Sequence, residues 1–141
     1  MSETPSVSVI LVVAHQRARA ELALASVLAQ EGVDEVEILV VDSAAGAYPP
    51  LPGCDQPGVR VLIPPNREDF GEMKAEAVRQ ATGDFVLFIE DHVQAQPGWL
   101  RALSKAFDGP WVAVGTQVEN ANPYVGLSPI VALVNYGLWA P

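Results

Sequence analysis

Cysteine is almost absent from this chain. Cys54 stands alone among 141 residues, which excludes an intrachain disulfide and a thiolate-based zinc cluster and gives no sign of an oxidising compartment. Basic residues are scarce as well. Eight Lys and Arg face seventeen Asp and Glu, for a formal net charge of −9, and a surface of that sign repels a phosphate backbone. No basic patch interleaved with aromatics occurs, so nucleic acid is not an expected partner. Long hydrophobic runs are missing too: none approaches the ~18 residues of a transmembrane helix. The N-terminus also lacks the charged-then-apolar layout of a signal peptide. A cytoplasmic protein without a transmembrane segment is the expectation.

What the chain has is short apolar runs that end in polar side chains. Half of its residues are apolar, enough for the core of one domain spanning residues 1–141. Val7 to Val13, Val36 to Val41, Val59 to Ile63 and Val86 to Ile89 are too short to span a membrane. They are also too continuous for half-exposed strands, so they predict strands buried on both faces, as in the centre of a parallel sheet. Trp111 to Gln117 predicts a further strand. Between them, Ala18 to Gln30 predicts a helix with Leu22, Ala25, Leu28 and Ala29 inward, and Phe70 to Ala81 one with Met73, Ala77 and Val78 inward. Trp99 to Phe107 gives a third, opened by Pro97-Gly98, with Leu100, Leu103 and Phe107 on one face. Tyr48-Pro49-Pro50 and Leu51-Pro52-Gly53 make Ala44 to Gly58 an irregular loop where a regular crossover would place a helix. Strands alternating with helices imply an α/β fold, a mostly parallel sheet flanked by helices.

The stretch Phe85 to Trp99 organises the rest, because its strand ends in Glu90-Asp91-His92. In open α/β sheets ligands bind outside the carboxyl ends of the strands, where these three side chains would stand. Strand alternation points Glu90 and His92 to one side and Asp91 to the other. A carboxylate oxygen and an imidazole nitrogen on one side suit Mn²⁺ or Mg²⁺, with His favouring Mn²⁺ or a later first-row metal. Water or substrate phosphate would complete such a shell. A divalent ion would also reconcile an acidic chain with a diphosphate ligand. Asp42, at the end of the Val36 run, is a second carboxylate in the same kind of place.

Four segments carry a resemblance to a known family: SVSVILVVAHQR followed by ASVLAQ, then EILVVDS, then Asn66 through KAEAVRQATGDFVLFIEDH, and finally PGWL. In order and approximate spacing, across residues 6 to 117, they resemble the N-terminal, nucleotide-sugar-binding half of a family 2 glycosyltransferase of the GT-A fold. The resemblance implies a metal-dependent glycosyltransferase, or its donor-binding part. Such an enzyme moves a sugar from a nucleotide-diphospho-sugar, UDP-type by analogy, to an acceptor hydroxyl. It places Asp42 on the base as an acceptor of an N–H, a role a carboxylate suits because it can only accept. Lys74 falls where the family often has an Arg facing the nucleotide, and offers the phosphates a point charge instead of a bidentate fork. Glu90-Asp91-His92 aligns with the family's Asp-x-Asp, with His92 and Glu90 as metal ligands and Asp91 near the ribose or stabilising the turn. An Asp-x-His version occurs in other GT-A enzymes, polypeptide N-acetylgalactosaminyltransferases among them.

Departures from the family pattern are equally specific. Its Pro-Thr-Tyr-Asn after the first strand is Val12-Val13-Ala14-His15 here, so the stacking tyrosine is lost and His15 is only a loose nucleotide-binding substitute. An inverting transferase also needs a general base for the acceptor hydroxyl. Asp108 and Glu119 are the only carboxylates after Asp91, and neither sits in a matching motif. The acceptor half is therefore expected to be absent, with residues 118–141 as its truncated start and Ile130 to Leu138 helical. The rival expectation is a non-catalytic GT-A-like interaction module that forms a homo-oligomer through its apolar C-terminal segment. A nucleotidyltransferase would present a Gly-rich phosphate loop after the first strand, which His15-Gln16-Arg17 is not. A response-regulator fold would require a different phosphoacceptor arrangement.

Overall fold

Four parallel strands form the sheet in a computed structural model that describes residues 6–33, 35–130 and 132. They are β1 (Val7–Val13), β2 (Val36–Asp42), β3 (Val59–Leu62) and β4 (Phe85–Glu90), in the spatial order β3-β2-β1-β4. The helices are α1 (Arg17–Leu28), α2 (Phe70–Gln80) and α3 (Trp99–Ala106). Strand and helix alternate as the apolar runs predict, and Ala44 to Gly58 forms turns without a helix. Where one domain over 1–141 is expected, the contacts divide the chain into two compact units, Met1–Ser104 and Lys105–Pro141. The sheet lies in the first.

β1 is central and buried along its whole length, which is why it reads as unbroken Val, Ile and Leu. In its parallel register Ile10 pairs with Leu39 and Phe88, and Val12 with Val41 and Glu90. One face of the sheet therefore gathers Ile10, Val12, Leu39 and Val41 against Met73 and Ala77 of α2. The other carries Val9, Leu11, Val13, Leu87 and Ile89, and α1 packs on it through Ala20, Ala23, Leu24 and Val27. Asp69 caps α2 by accepting hydrogen bonds from the amides of Gly71 and Glu72 at 2.7 and 3.0 Å, satisfying donors the first helical turn leaves free.

Several expectations need correction. Leu22 is 54% exposed, and the inward face of α1 is the Ala20, Ala23, Leu24, Val27 stripe instead. Alanines and leucines occur all round this helix, so its spacing does not single out a face. Val78 lies exposed on α2, beside the buried Met73 and Ala77. β4 is an edge strand buried on one face only, with Phe88 51% exposed. Residues 111–117 form no strand. Trp111 and Val112 are exposed, and a strand is held by a ladder partner, not by apolar composition. Of the expected helix Ile130 to Leu138, only residues 130 and 132 are described, both helical, and the rest lies outside the described residues. No helix among the described residues is long and apolar enough to cross a membrane.

Candidate functional site

The strand order reverses direction at β1: the chain moves from β1 to β2 and β3 on one side, then to β4 on the other. Ligands of open α/β sheets bind at such a switch point, at the carboxyl ends of the strands. Glu90 ends β4 there, and the amide of Val93 donates to the Glu90 carbonyl at 3.0 Å, closing a turn over Asp91 and His92. The turn changes the geometry from that of a continued strand. Instead of pointing away, Asp91 reaches the same imidazole as Glu90: His92 Nε2 stands 3.2 Å from Glu90 Oε2 and Nδ1 3.3 Å from Asp91 Oδ1.

This arrangement suits a divalent ion. Two adjacent ligand atoms of an octahedral ion, each about 2.1 Å from it, stand about 3.0 Å apart, close to the 3.2 Å between Glu90 Oε2 and His92 Nε2. With the ring proton on Nδ1, the imidazole donates to Asp91 and leaves the Nε2 lone pair for the metal, as carboxylate–histidine–metal triads do. Among the described residues no group of three or more His, Cys, Asp or Glu side chains is arranged to hold a metal. Two protein ligands are ordinary for Mg²⁺-type ions, which keep waters and take oxygens from substrate phosphates.

Asp42 faces the other way across the sheet. It pairs with Val13, one position beyond the Val12–Glu90 pairing, so its side chain lies on the α1 face while Glu90 lies on the α2 face. The Asp42 side chain is only 4% exposed, and Arg17 Nη1, at the start of α1, donates to both carboxylate oxygens at 3.0 Å. The amide of Ala44 donates to Oδ1 as well, at 3.0 Å, a turn typical of Asp at a strand end. Arg17 Nη2 extends the cluster by donating to the Pro49 carbonyl at 2.8 Å. Tyr48, next to it, lies under the Arg17 guanidinium at 5.6 Å and meets the His15 ring edge-on at 6.0 Å.

The structure thus groups the predicted residues in three places. Glu90, Asp91 and His92 meet at one imidazole. Asp42 and His15 join a cluster with Arg17 and Tyr48. Lys74 stands with its Nζ 5.8 Å from the ring centre of Phe88, and Phe88 shares the α2 face of β4 with Glu90. Sequence reasoning missed Arg17 and Tyr48. The basic turn after β1 was a signal for the first, since a buried strand-end Asp calls for a cation, whereas the aromatic in a Pro-rich loop gave none. Cys54 is no rival nucleophile: burial pushes its thiol up, away from the reactive thiolate.

The amino end of the sheet also holds polar residues, around an open cavity of about 800 Å³ lined by Glu37, Arg60, Thr82 and Gly83 among others. Those groups are spent on one another. Glu37 accepts from Ser8 Oγ at 2.7 Å, from the Thr82 amide at 3.0 Å and from Arg60. Burial alone would raise its pKa, but the hydrogen bonds from Ser8, Thr82 and Arg60 hold the carboxyl below its ordinary value.

Comparison with known proteins is consistent with ligand binding at the carboxyl end. The sheet resembles that of residues 1–349 of S. aureus TarS, with a TM-score of 0.59 and 22% identity over 73% of this chain and 32% of that one. It also resembles the mannosyltransferase PcManGT from Pyrobaculum calidifontis, solved in complex with GDP-Man and Mn²⁺, with a TM-score of 0.58 and 23% identity over 82% of this chain and 34% of that one. The fold is GT-A, and the chain spans about a third of the length of these neighbours. No curated protein matches. The model of the family described as "Glycosyl transferase family 2" matches residues 8–126, most of the sequence, so the chain belongs to glycosyl transferase family 2.

Proposed function

We propose that this chain is the donor-binding part of a metal-dependent glycosyltransferase that moves a sugar from a nucleotide-diphospho-sugar to an acceptor hydroxyl. The observation that carries the reading is the Glu90–His92 pair, set at ion-ligand spacing at the switch point of a family 2 chain. A divalent ion held there would neutralise the diphosphate as leaving-group charge develops. Mn²⁺ is favoured over Mg²⁺ by the imidazole ligand, and a structural neighbour carries GDP-Man and Mn²⁺.

Each residue then has a task. Glu90 and His92 hold the ion, and Asp91 orients His92 through Oδ1 while its other oxygen serves a ribose hydroxyl. Lys74 offers its charge to the phosphates from the α2 face. Asp42 accepts from the base, and Arg17 offsets the charge of that buried carboxylate so that it can stay at the site floor. His15 lines the same pocket. Neither Asp108 nor Glu119 is assigned as general base, which places deprotonation of the acceptor hydroxyl on a residue outside this set.

A second reading, a homo-oligomeric interaction module, draws support from the exposed Val112, Tyr124, Val125, Leu127 and Ile130 of the second unit. Isothermal titration of UDP and GDP into the chain, with and without Mn²⁺, separates the two. The donor-site reading expects Mn²⁺-dependent binding that His92→Ala and Asp42→Ala each weaken at least tenfold. It fails if neither nucleotide binds under any condition, and the interaction module then stands.

A further inference from the structure

The pocket beside Asp42 contains an aromatic ring that the family pattern does not place there. Where the usual tyrosine after β1 is missing, Tyr48 reaches the same carboxyl edge from the loop after β2. That loop is held at several points. Ala47 N donates to the Ala44 carbonyl at 3.0 Å, Gly46 takes a φ of +90° that a side chain would resist, and Ala45 bridges Tyr48. Arg67 Nη1 donates to the Ala45 carbonyl at 2.9 Å, and Arg17 Nη2 to the Pro49 carbonyl at 2.8 Å. Tyr48 is flanked by these two anchored residues.

The ring's surroundings fit a planar ligand. His15 meets it edge-on, at an interplanar angle of 67°, and the Arg17 guanidinium lies over it, yet 42% of Tyr48 stays open to solvent. An aromatic surface beside a carboxylate offers a nucleobase a stacking partner and a hydrogen-bond acceptor together. We infer that Tyr48 is the platform on which the base of the donor nucleotide stacks, and that Arg17 is its positioning residue, tying Asp42 and the Tyr48 loop to the start of α1. The inference rests on the donor-site reading above and adds to it the residue that recognises the base. Base–aromatic stacking tolerates different bases, so Tyr48 contributes affinity for UDP and GDP alike while Asp42 selects between them.

Titration of UDP, GDP and inorganic pyrophosphate into the full chain with Mn²⁺ tests this. Tyr48→Ala is expected to weaken both nucleotides about tenfold and to leave pyrophosphate unchanged, since pyrophosphate engages only the Glu90–His92 end. Tyr48→Phe keeps the ring and is expected to bind nucleotides within about twofold of the parent. Arg17→Lys, which keeps the charge and loses the fork that reaches both Asp42 and Pro49, should weaken nucleotides severalfold and spare pyrophosphate. Unchanged nucleotide affinity in Tyr48→Ala overturns the inference while leaving the donor site intact. Equal loss of pyrophosphate in either variant overturns it too, showing a general collapse instead of a lost platform. A parent chain that binds no nucleoside diphosphate overturns both readings.

Discussion

The two ends of the sheet carry similar side chains and use them differently. At the amino end, Ser8, Glu37, Arg60, Thr82 and Gly83 join three strands and the end of α2 through hydrogen bonds among themselves. At the carboxyl end, Glu90 and His92 stand about half exposed, on a turn instead of a ladder. A carboxylate at a strand terminus is thus not in itself a ligand site. What distinguishes the two ends is whether the surrounding polar groups already consume the charge. Asp42 falls between them: its charge is met by Arg17, but the pair sits in a pocket whose other members, Tyr48 and His15, are not bound into the core.

The comparison breaks most visibly at Gly83. Its amide donates to Ser8 Oγ at 2.9 Å, and a Cβ built there would stand 2.6 Å from Ser8 N and 2.8 Å from Val7 C. Those atoms are backbone of the central strand and cannot rotate away. Gly83→Ala should therefore cost about 2–3 kcal/mol of stability, the upper range for overpacking, read as a lowered midpoint in urea. Nucleotide affinity of the fraction that remains folded should be unchanged, because the substitution lies at the far end of the sheet from the site.

Glu37 gives the next effect. Its hydrogen bonds make its folded pKa lower than its unfolded one, so its contribution is fully present above the unfolded value, about 4.3, and is lost as pH falls through the folded value. Stability of the parent should decline from about pH 4.3 downward. Glu37→Gln, which removes the charge from bonds with Ser8, Thr82 and Arg60, should cost about 1.5 kcal/mol at neutral pH and flatten that part of the acid profile. An unaltered acid limb in urea unfolding series would assign the decline to other carboxylates.

Much of this arrangement is legible in the residue order, and what is not has a physical cause. The buried runs of β1 and β2 announce themselves because both of their faces need apolar side chains. β4 has an equally apolar run, yet Phe88 on its outer face is exposed, and composition alone does not distinguish an edge strand from a central one. The inward face of α1 is hidden by its excess of alanine and leucine. At the site, Glu90, Asp91 and His92 are neighbours in the chain and can be read together, although the turn that brings both carboxylates to one imidazole cannot. Arg17 and Tyr48 reach Asp42 and His15 only through the packing of two loops, and no local pattern encodes that meeting.

The smallest expected change in stability marks the site most sharply. Glu90→Gln keeps the shape of a side chain that is about half exposed and removes its charge from His92. An exposed ion pair contributes little to folding, so the unfolding free energy should move by no more than about 0.5 kcal/mol. The same substitution removes one of only two protein oxygen or nitrogen ligands available to the ion. Mn²⁺ affinity in the presence of UDP should therefore fall by at least tenfold, since even supporting residues around a metal are worth about 10–100-fold. An equivalent carboxylate change at the amino end, Glu37→Gln, should do the reverse: it should lower stability and leave Mn²⁺ and UDP binding as they were. If Glu90→Gln instead destabilises the chain as much as Glu37→Gln while binding is unaltered, the two ends do not differ in kind, and Glu90 belongs to the scaffold.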